Sequence, residues 1–435
     1  MDIYQSIIEM ADAAQSRMVA VRRDFHKYAE TGWHEMRTSS IIAKRLSELG
    51  YEVLVGDRVC KRDARMGVPS EQILSESYER AKKQGADPDF IEAVEGGMTG
   101  VIGILRCGEG PTVAMRFDID ALGVIESKDA DHIPEREGFT SVNDGSMHAC
   151  GHDGHAASGL GVAEVLMQIK DKLHGTVKLI FQPGEEGLRG AKSIVANGHL
   201  DDVDYVLGSH TTGEDDEGSD ITPGSYGSLA SYKYDVTYRG VSAHAGGSPQ
   251  LGKNALLAAA AAVTNLYAIP RHSKGASRIN VGRLIAGSGR NVIADEAFME
   301  IEVRGDNNEI NEFVSDYATR ILKSCAEMHG CTMEMKLMGA AESLNSDEEF
   351  CRHIARVASE KLGMKVSSNL MLKLGGSEDF SYMANCVMSH GGKAAFMRVR
   401  SKTAAGAHNR KYDFDESYLS KAVKIFCGMA YDIMK

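Results

Sequence analysis

The segment MHACGHDGH places His148, Cys150, His152 and His155 within eight positions. Thiolate and imidazole are the donors that zinc-like divalent cations prefer, and the interspersed glycines let the backbone turn several of them inward. A helix beginning beside Cys150 favours its thiolate, which suits a metal ligand or a nucleophile. Glu185 and Glu186 follow in QPGEEG. Beside a metal, one carboxylate of such a pair binds the cation while the other takes a proton from water and passes it to a departing amine. Spacing alone does not order the two, and without a metal the pair reads as a solvated turn. Asp118 and Asp120, in FDID, have the spacing of residues that orient a ligand histidine from behind, or that cap a strand end. His210 and His408 stand alone, as structural histidines often do. The chemistry these types allow together is metal-assisted hydrolysis. A rival is thiol chemistry, with Cys150 as nucleophile and a neighbouring histidine as base.

The elements that must position these residues are short aliphatic runs alternating with helices, which predict an α/β fold with a mostly parallel sheet covered by helices. Strands are expected at 101–105, 112–117, 176–181, 203–208 and 394–399. The second ends at Asp118 and Asp120, the third at Glu185 and Glu186, and the fourth at His210, while a glycine-containing loop after the fifth carries His408. Ligands bind beyond the carboxyl ends of strands in such sheets, because the loops there converge on one edge. A helix over 156–169 is expected to start just after the His148–His155 segment and to face that edge.

The pattern changes over 231–339 to strand, helix, strand, strand, helix, strand, the βαββαβ order of a ferredoxin-like unit. It lies between the His210 strand and the C-terminal strand, so it reads as a domain inserted into a discontinuous catalytic one. The expected division is 1–224 with 340–435 for the metal-binding domain and 225–339 for the insert. Helical apolar spacing also covers 3–26 and 38–49, and residues 57–99 form a polar insertion with a helix over 71–83 and no aliphatic strand.

A chain of 435 residues exceeds what one core usually fills, in keeping with two domains. The formal charge of −12 and the lack of a Lys/Arg cluster disfavour nucleic acid as partner. The eight cysteines form no dense disulfide framework, the N-terminus lacks the pattern of a signal peptide, and no apolar run spans a membrane. A soluble protein of the reducing cytoplasm, with no membrane partner, is the expectation.

HACGHDGH, LIFQPGEEG, GSH, AHAG, SGRNVI and GSEDF occur in this order. In these motifs, over nearly its whole length, the chain resembles the amidohydrolase branch of the dinuclear metallopeptidases, which includes hippurate and indoleacetyl-amino-acid hydrolases. Within that branch it is most similar to the aminobenzoyl-glutamate hydrolases. One departure is PGEEG where PAEEG is expected. The resemblance implies two divalent metal ions, manganese or zinc, held by Cys150, His152, Glu186, His210 and His408, with Glu185 as general base. It implies that the inserted domain is a lid and dimerisation unit of a homodimer. His244 would there donate to the developing oxyanion of the partner subunit, and Arg290 and Asn291 would lie near the substrate carboxylate. The implied substrate is a small N-acyl amino acid, p-aminobenzoyl-glutamate first, with hippurate-like and indoleacetyl conjugates as alternatives. A related second subunit, with this chain a non-catalytic metal-binding partner, is the reading from another class.

Overall fold

The computed structural model describes residues 2–435. In chain order its strands are β1 (Glu52–Val55), β2 (Val101–Arg106), β3 (Thr112–Asp118), β4 (Thr176–Gln182), β5 (Tyr205–Thr212), β6 (Ile221–Thr222), β7 (Gly224–Tyr226), β8 (Ala230–Arg239), β9 (Ser277–Ala286), β10 (Glu296–Gly305), β11 (Thr332–Ala341), β12 (Met371–Lys373) and β13 (Lys393–Arg400). They fall into two compact units. The larger holds the chain up to Tyr226 with Leu344–Lys373 and Asp379–Lys435, and the smaller holds Gly227–Ser343 with Leu374–Glu378. Residues 374–378, which the sequence reading keeps with the C-terminal segment, thus cluster with the smaller unit.

The larger unit is built on a seven-stranded sheet in the order β1-β2-β4-β3-β5-β13-β6. The pairs β3/β4, β3/β5 and β5/β13 are parallel, whereas β1/β2, β2/β4 and β13/β6 are antiparallel. The sheet is therefore mixed rather than mostly parallel. Strands buried on both faces read as apolar runs whatever their direction, so the sequence pattern does not distinguish the two. β3 and β4 are buried at every position after the first, as central strands covered on both faces must be.

The helix His152–Gln168 begins four residues before the expected start at 156. Gly151 caps it in the left-handed conformation, with φ of 87°, and a Cβ there would lie 2.6 Å from Thr211 Cγ2. Backbone strain and crowding both select glycine at this point. The early start puts His152 and His155 on the first helical turn, where residues three apart share a face. Small and apolar residues surround nearly the whole circumference of this helix. It accordingly packs against helices Ile3–Lys27 and Tyr418–Met434 and against β3. Residues 57–99 carry the expected helix, Glu71–Lys83, and no strand. They are fastened to the larger unit by buried Val59, Cys60, Val94 and Met98, and by a hydrogen bond from Trp33 Nε1 to the Met66 carbonyl (2.7 Å).

In the smaller unit β8, helix Ala255–Tyr267, β9, β10, helix Asn308–Met328 and β11 follow one another, and the strands pair antiparallel in the order β11-β8-β10-β9. This is the ferredoxin-like βαββαβ arrangement. Its core is formed by residues including Val236, Tyr238, Ala258, Ala262, Met299, Ile301 and Leu322.

Candidate active site

The five expected ligands meet at one edge of the large sheet. Cys150 precedes the helix His152–Gln168, His210 lies in the last residues of β5, Glu186 follows β4, and His408 sits in the loop after β13. Together with Glu185, they supply three overlapping sets of donor atoms, Cys150–His152–His210, Cys150–Glu186–His408 and His152–Glu185–Glu186, in each of which the atoms lie within 4.8 Å of one another. Cys150 Sγ is 3.3 Å from His210 Nε2, Glu186 Oε1 is 3.5 Å from His408 Nε2, and Glu185 Oε2 is 3.9 Å from His152 Nε2.

Four of the five are held from behind, through a ring nitrogen or the backbone. His152 Nδ1 contacts the Asp120 carbonyl (2.9 Å) and Asp120 Oδ1 (3.2 Å), which turns Nε2 toward the cluster. The other oxygen of Asp120 accepts from the Glu186 backbone N–H at 2.8 Å, so one carboxylate fixes two ligand-bearing segments. His210 Nδ1 donates to the Thr211 carbonyl at 2.6 Å and leaves Nε2 for Cys150 or a cation. His408 has a φ of 66°, a conformation that costs a non-glycine residue energy and persists only where its surroundings impose it. Its N–H is held by the Ala149 carbonyl (2.7 Å). The other two non-glycine residues with positive φ, Trp33 and Leu188, also adjoin this site.

Among the described residues, buried His152 Nε2 and Glu186 Oε1 have only long contacts, to Glu185 and His408 of the same cluster. Buried polar atoms are rarely left so, and here they face a thiol and further imidazoles. The donor set therefore fits divalent cations of the borderline type. Hydrogen bonding to Cys150 and then Glu186 pushes His408 up to about 10. Burial followed by the Arg398 charge holds His210 well below its ordinary value. Burial opposes the charged form of His152, but Asp118, Asp120 and Cys150 carry it well upward. A cation must displace such protons, so its binding releases them.

Two residues of the dense histidine segment stand apart from the five. His155 Nε2 accepts from the Thr211 N–H (3.2 Å) and its Nδ1 faces Asp118 Oδ2 (3.1 Å), so both ring nitrogens are used structurally. Asp118 thus steadies His155, not one of the expected ligands, and also pairs with buried Arg116. His148 is buried, and burial pushes it down to about 3.

Several supporting residues escape a reading of the sequence. Buried Glu35 accepts from the Gly184 N–H (2.8 Å) and the Thr99 hydroxyl (2.7 Å), setting the turn before Glu185. Asp379, in the GSEDF motif, accepts from the backbone N–H groups of Gly190 (3.2 Å) and Ala191 (3.1 Å) and pairs with Arg116. Arg22 joins Asp153, the neighbour of His152, to Asp413 in the segment after His408. Each is one charged residue among other charged or polar neighbours, and its partner lies far away in the sequence.

In the smaller unit, His244 pairs with Val292 in an isolated bridge, and the Ala245 N–H donates to the Asn291 carbonyl (3.0 Å). His244, Arg290 and Asn291, all exposed, are thereby neighbours within that unit. His244 Nδ1 accepts from the N–H groups of Gly246 (3.1 Å) and Gly247 (2.9 Å).

A family model described as peptidase family M20/M25/M40 matches residues 114–432, a span that contains the whole ligand cluster. The chain belongs to that family. It is accordingly an enzyme of the metal-dependent amidohydrolase and peptidase class. It is 45% identical over 408 residues to the indole-3-acetyl-aspartic acid hydrolase of Enterobacter agglomerans, covering 94% of this chain and 93% of that one. It is 43% identical over 427 residues to one of the subunits of the p-aminobenzoyl-glutamate hydrolase of Escherichia coli K12, covering 98% of each. The crystal structure of an aminobenzoyl-glutamate utilization protein from Klebsiella pneumoniae superposes with a TM-score of 0.83 at 37% identity, covering 98% of this chain and 97% of the other.

Proposed function

We propose that this enzyme hydrolyses the amide bond of an N-acyl amino acid, p-aminobenzoyl-glutamate first, releasing p-aminobenzoate and glutamate. The observation that carries this reading is the placing of a second carboxylate, Glu185, against a thiol, imidazole and carboxylate donor set. Similarity to the Escherichia coli and Klebsiella proteins supports the substrate. The 45% identity to an indoleacetyl-aspartate hydrolase supports indoleacetyl-aspartate as the second reading.

Cys150, His152, Glu186, His210 and His408 would hold two divalent cations, manganese or zinc. Bound there, the cations supply Lewis acidity at the amide carbonyl and ease the deprotonation of water. Glu185 takes the proton of the attacking water and returns it to the departing nitrogen, which must leave as an amine. With Nδ1 occupied as an acceptor, His244 carries its proton on Nε2, the state needed to donate to an oxyanion. Arg290 and Asn291 would bind the substrate carboxylate.

The smaller unit is the proposed lid and the contact of a homodimer. Leu256, Leu257 and Tyr267 of its first helix and Leu284 and Ile285 of edge strand β9 are exposed, an apolar surface joined to an unpaired strand edge. Light scattering on the eluting protein tests the dimer. No helix of the described residues is long and apolar enough to cross a membrane.

The deciding experiment measures hydrolysis of p-aminobenzoyl-glutamate and indoleacetyl-aspartate by the protein as isolated, after chelation, and after return of manganese or zinc. Metal-restored turnover is expected, whereas activity that survives chelation but not thiol alkylation would replace this reading with a Cys150 nucleophile. No turnover by folded, metal-loaded protein would point to another acyl amino acid or to a required second subunit.

A further inference from the structure

Among the described residues, three arginines from segments around the Pro183–Gly187 turn are in no ion pair, although the chain as a whole carries a charge of −12. Arg189 folds back along the turn, and a Cβ on Gly187 would lie 2.5 Å from its Nε. Its guanidinium stem therefore lies beside the neighbour of Glu186, and its Nη1 reaches only the Gly67 carbonyl of the polar insertion, at 3.4 Å. Arg65 stands over the Trp33 ring, 5.3 Å from its centroid, and that indole in turn lies against Gly184. The Nε atoms of Arg65 and Arg80 are buried without an acceptor. A buried guanidinium N–H lacking an acceptor is costly, so the arrangement is short of an anion or water.

Two buried carboxylates nearby, Glu35 and Glu30, accept from backbone and hydroxyl donors. Glu35 is bound to the Gly184 N–H and the Thr99 hydroxyl, and Glu30 accepts from the N–H groups of Arg37 (3.1 Å) and Thr38 (2.9 Å). His34 donates from Nδ1 to Ser77 Oγ (2.6 Å), whose own proton goes to the Ile73 carbonyl (2.9 Å). Burial, and then the charges of Arg80 and Arg189, push His34 down to about 4, as a locally positive potential requires.

Building on the proposed acyl-amino-acid hydrolysis, we infer that Arg189, backed by Arg80 and Arg65, forms an anion subsite for the side-chain carboxylate of an acidic amino acid. Arg189 is then a specificity-determining residue, and the polar insertion serves to hold it. Acyl-aspartates and acyl-glutamates are selected over their neutral amides because a guanidinium set for a carboxylate is left unpaired by an amide.

The test compares p-aminobenzoyl-glutamate with p-aminobenzoyl-glutamine, and indoleacetyl-aspartate with indoleacetyl-asparagine, on the metal-loaded wild type, Arg189→Gln and Arg189→Lys. The wild type is expected to favour the acid over the amide by about 10- to 100-fold in kcat/KM. Arg189→Gln brings that ratio near one by raising KM for the acid, and Arg189→Lys retains part of it. Equal losses on both members of a pair, or an unchanged ratio, would overturn the subsite. Calorimetric binding of free L-glutamate and L-glutamine separates this inference from the substrate reading. If no acyl amino acid is turned over, the substrate reading fails, yet a glutamate preference that Arg189→Gln abolishes still upholds the subsite. Equal binding of the two amino acids overturns it.

Discussion

Replacing Arg22 by methionine removes the cation that ties the His152 helix to the His408 segment. Arg22 is 1% exposed, and its guanidinium reaches Asp153 Oδ2 at 2.8 Å, Asp413 Oδ1 at 2.6 Å and Glu416 Oε1 at 3.2 Å. The rings of Phe139 and Phe414 lie 5.1 and 4.5 Å from it, so methionine keeps the packing and loses the charge. Asp413 is buried and would be left without its cation, and buried Asp153 would keep only His26. Breaking a buried pair in this way costs about 3–5 kcal/mol, a large part of the roughly 5–15 kcal/mol that holds a typical fold. Urea unfolding at pH 7, followed by circular dichroism, should show that loss. Adding Asp153→Asn should restore part of it, because the two changes share one interaction. The loss should also shrink in acid. Burial alone would raise the Asp153 carboxyl, but Arg22 and His26 more than reverse this and hold it below the ordinary range. Such a group contributes stability above an unfolded pKa near ~4, and the contribution fades as pH falls through the lower folded value. A variant within about 1 kcal/mol of wild type, or strict additivity in the double variant, would refute the role given to Arg22.

Glu185→Gln should lower kcat by about 10²- to 10⁴-fold while leaving the metal content measured by mass spectrometry unchanged; loss of metal would make Glu185 a ligand instead. Asp120→Ala, which releases both His152 and the Glu186 backbone, should weaken metal affinity about 10- to 100-fold in a metal-buffered titration, and full affinity would count against its orienting role. Burial disfavours a charged His26, but Asp153 and Glu126 outweigh it and lift the ring to about 9 from 6.5. Its contribution to stability is complete below the unfolded pKa and disappears as pH rises through about 9, a loss on the order of 3 kcal/mol. The urea midpoint of wild type should fall over that window and that of His26→Gln should not; parallel profiles would show that His26 is neutral throughout.

Much of this protein is legible in its residues. Donor types and spacing mark Cys150, His152 and the Glu185/Glu186 pair, because a metal demands particular atoms whatever the fold; the family resemblance orders that pair and adds His210 and His408, and Cys150, His152, Glu186, His210 and His408 do meet in space. Helical and alternating periodicities give the two kinds of unit, since an apolar stripe must be buried wherever the element lies. Tertiary structure decided the rest. Antiparallel pairings at both sides of the large sheet made it mixed, and Gly151 moved the helix start so that His152 and His155 share a turn. Asp118 and Asp120 look alike in FDID, yet Asp120 contacts the Nδ1 of the expected ligand His152 whereas Asp118 faces His155 and Arg116, because β3 ends at Asp118 and the regular alternation of side chains stops before Asp120. Arg22, Glu35, Arg116 and Asp379 gain meaning only from carboxylates, guanidiniums or backbone groups that the chain brings back from far along the sequence. A local pattern records whether a residue is buried; which charge it meets there depends on how the whole chain closes.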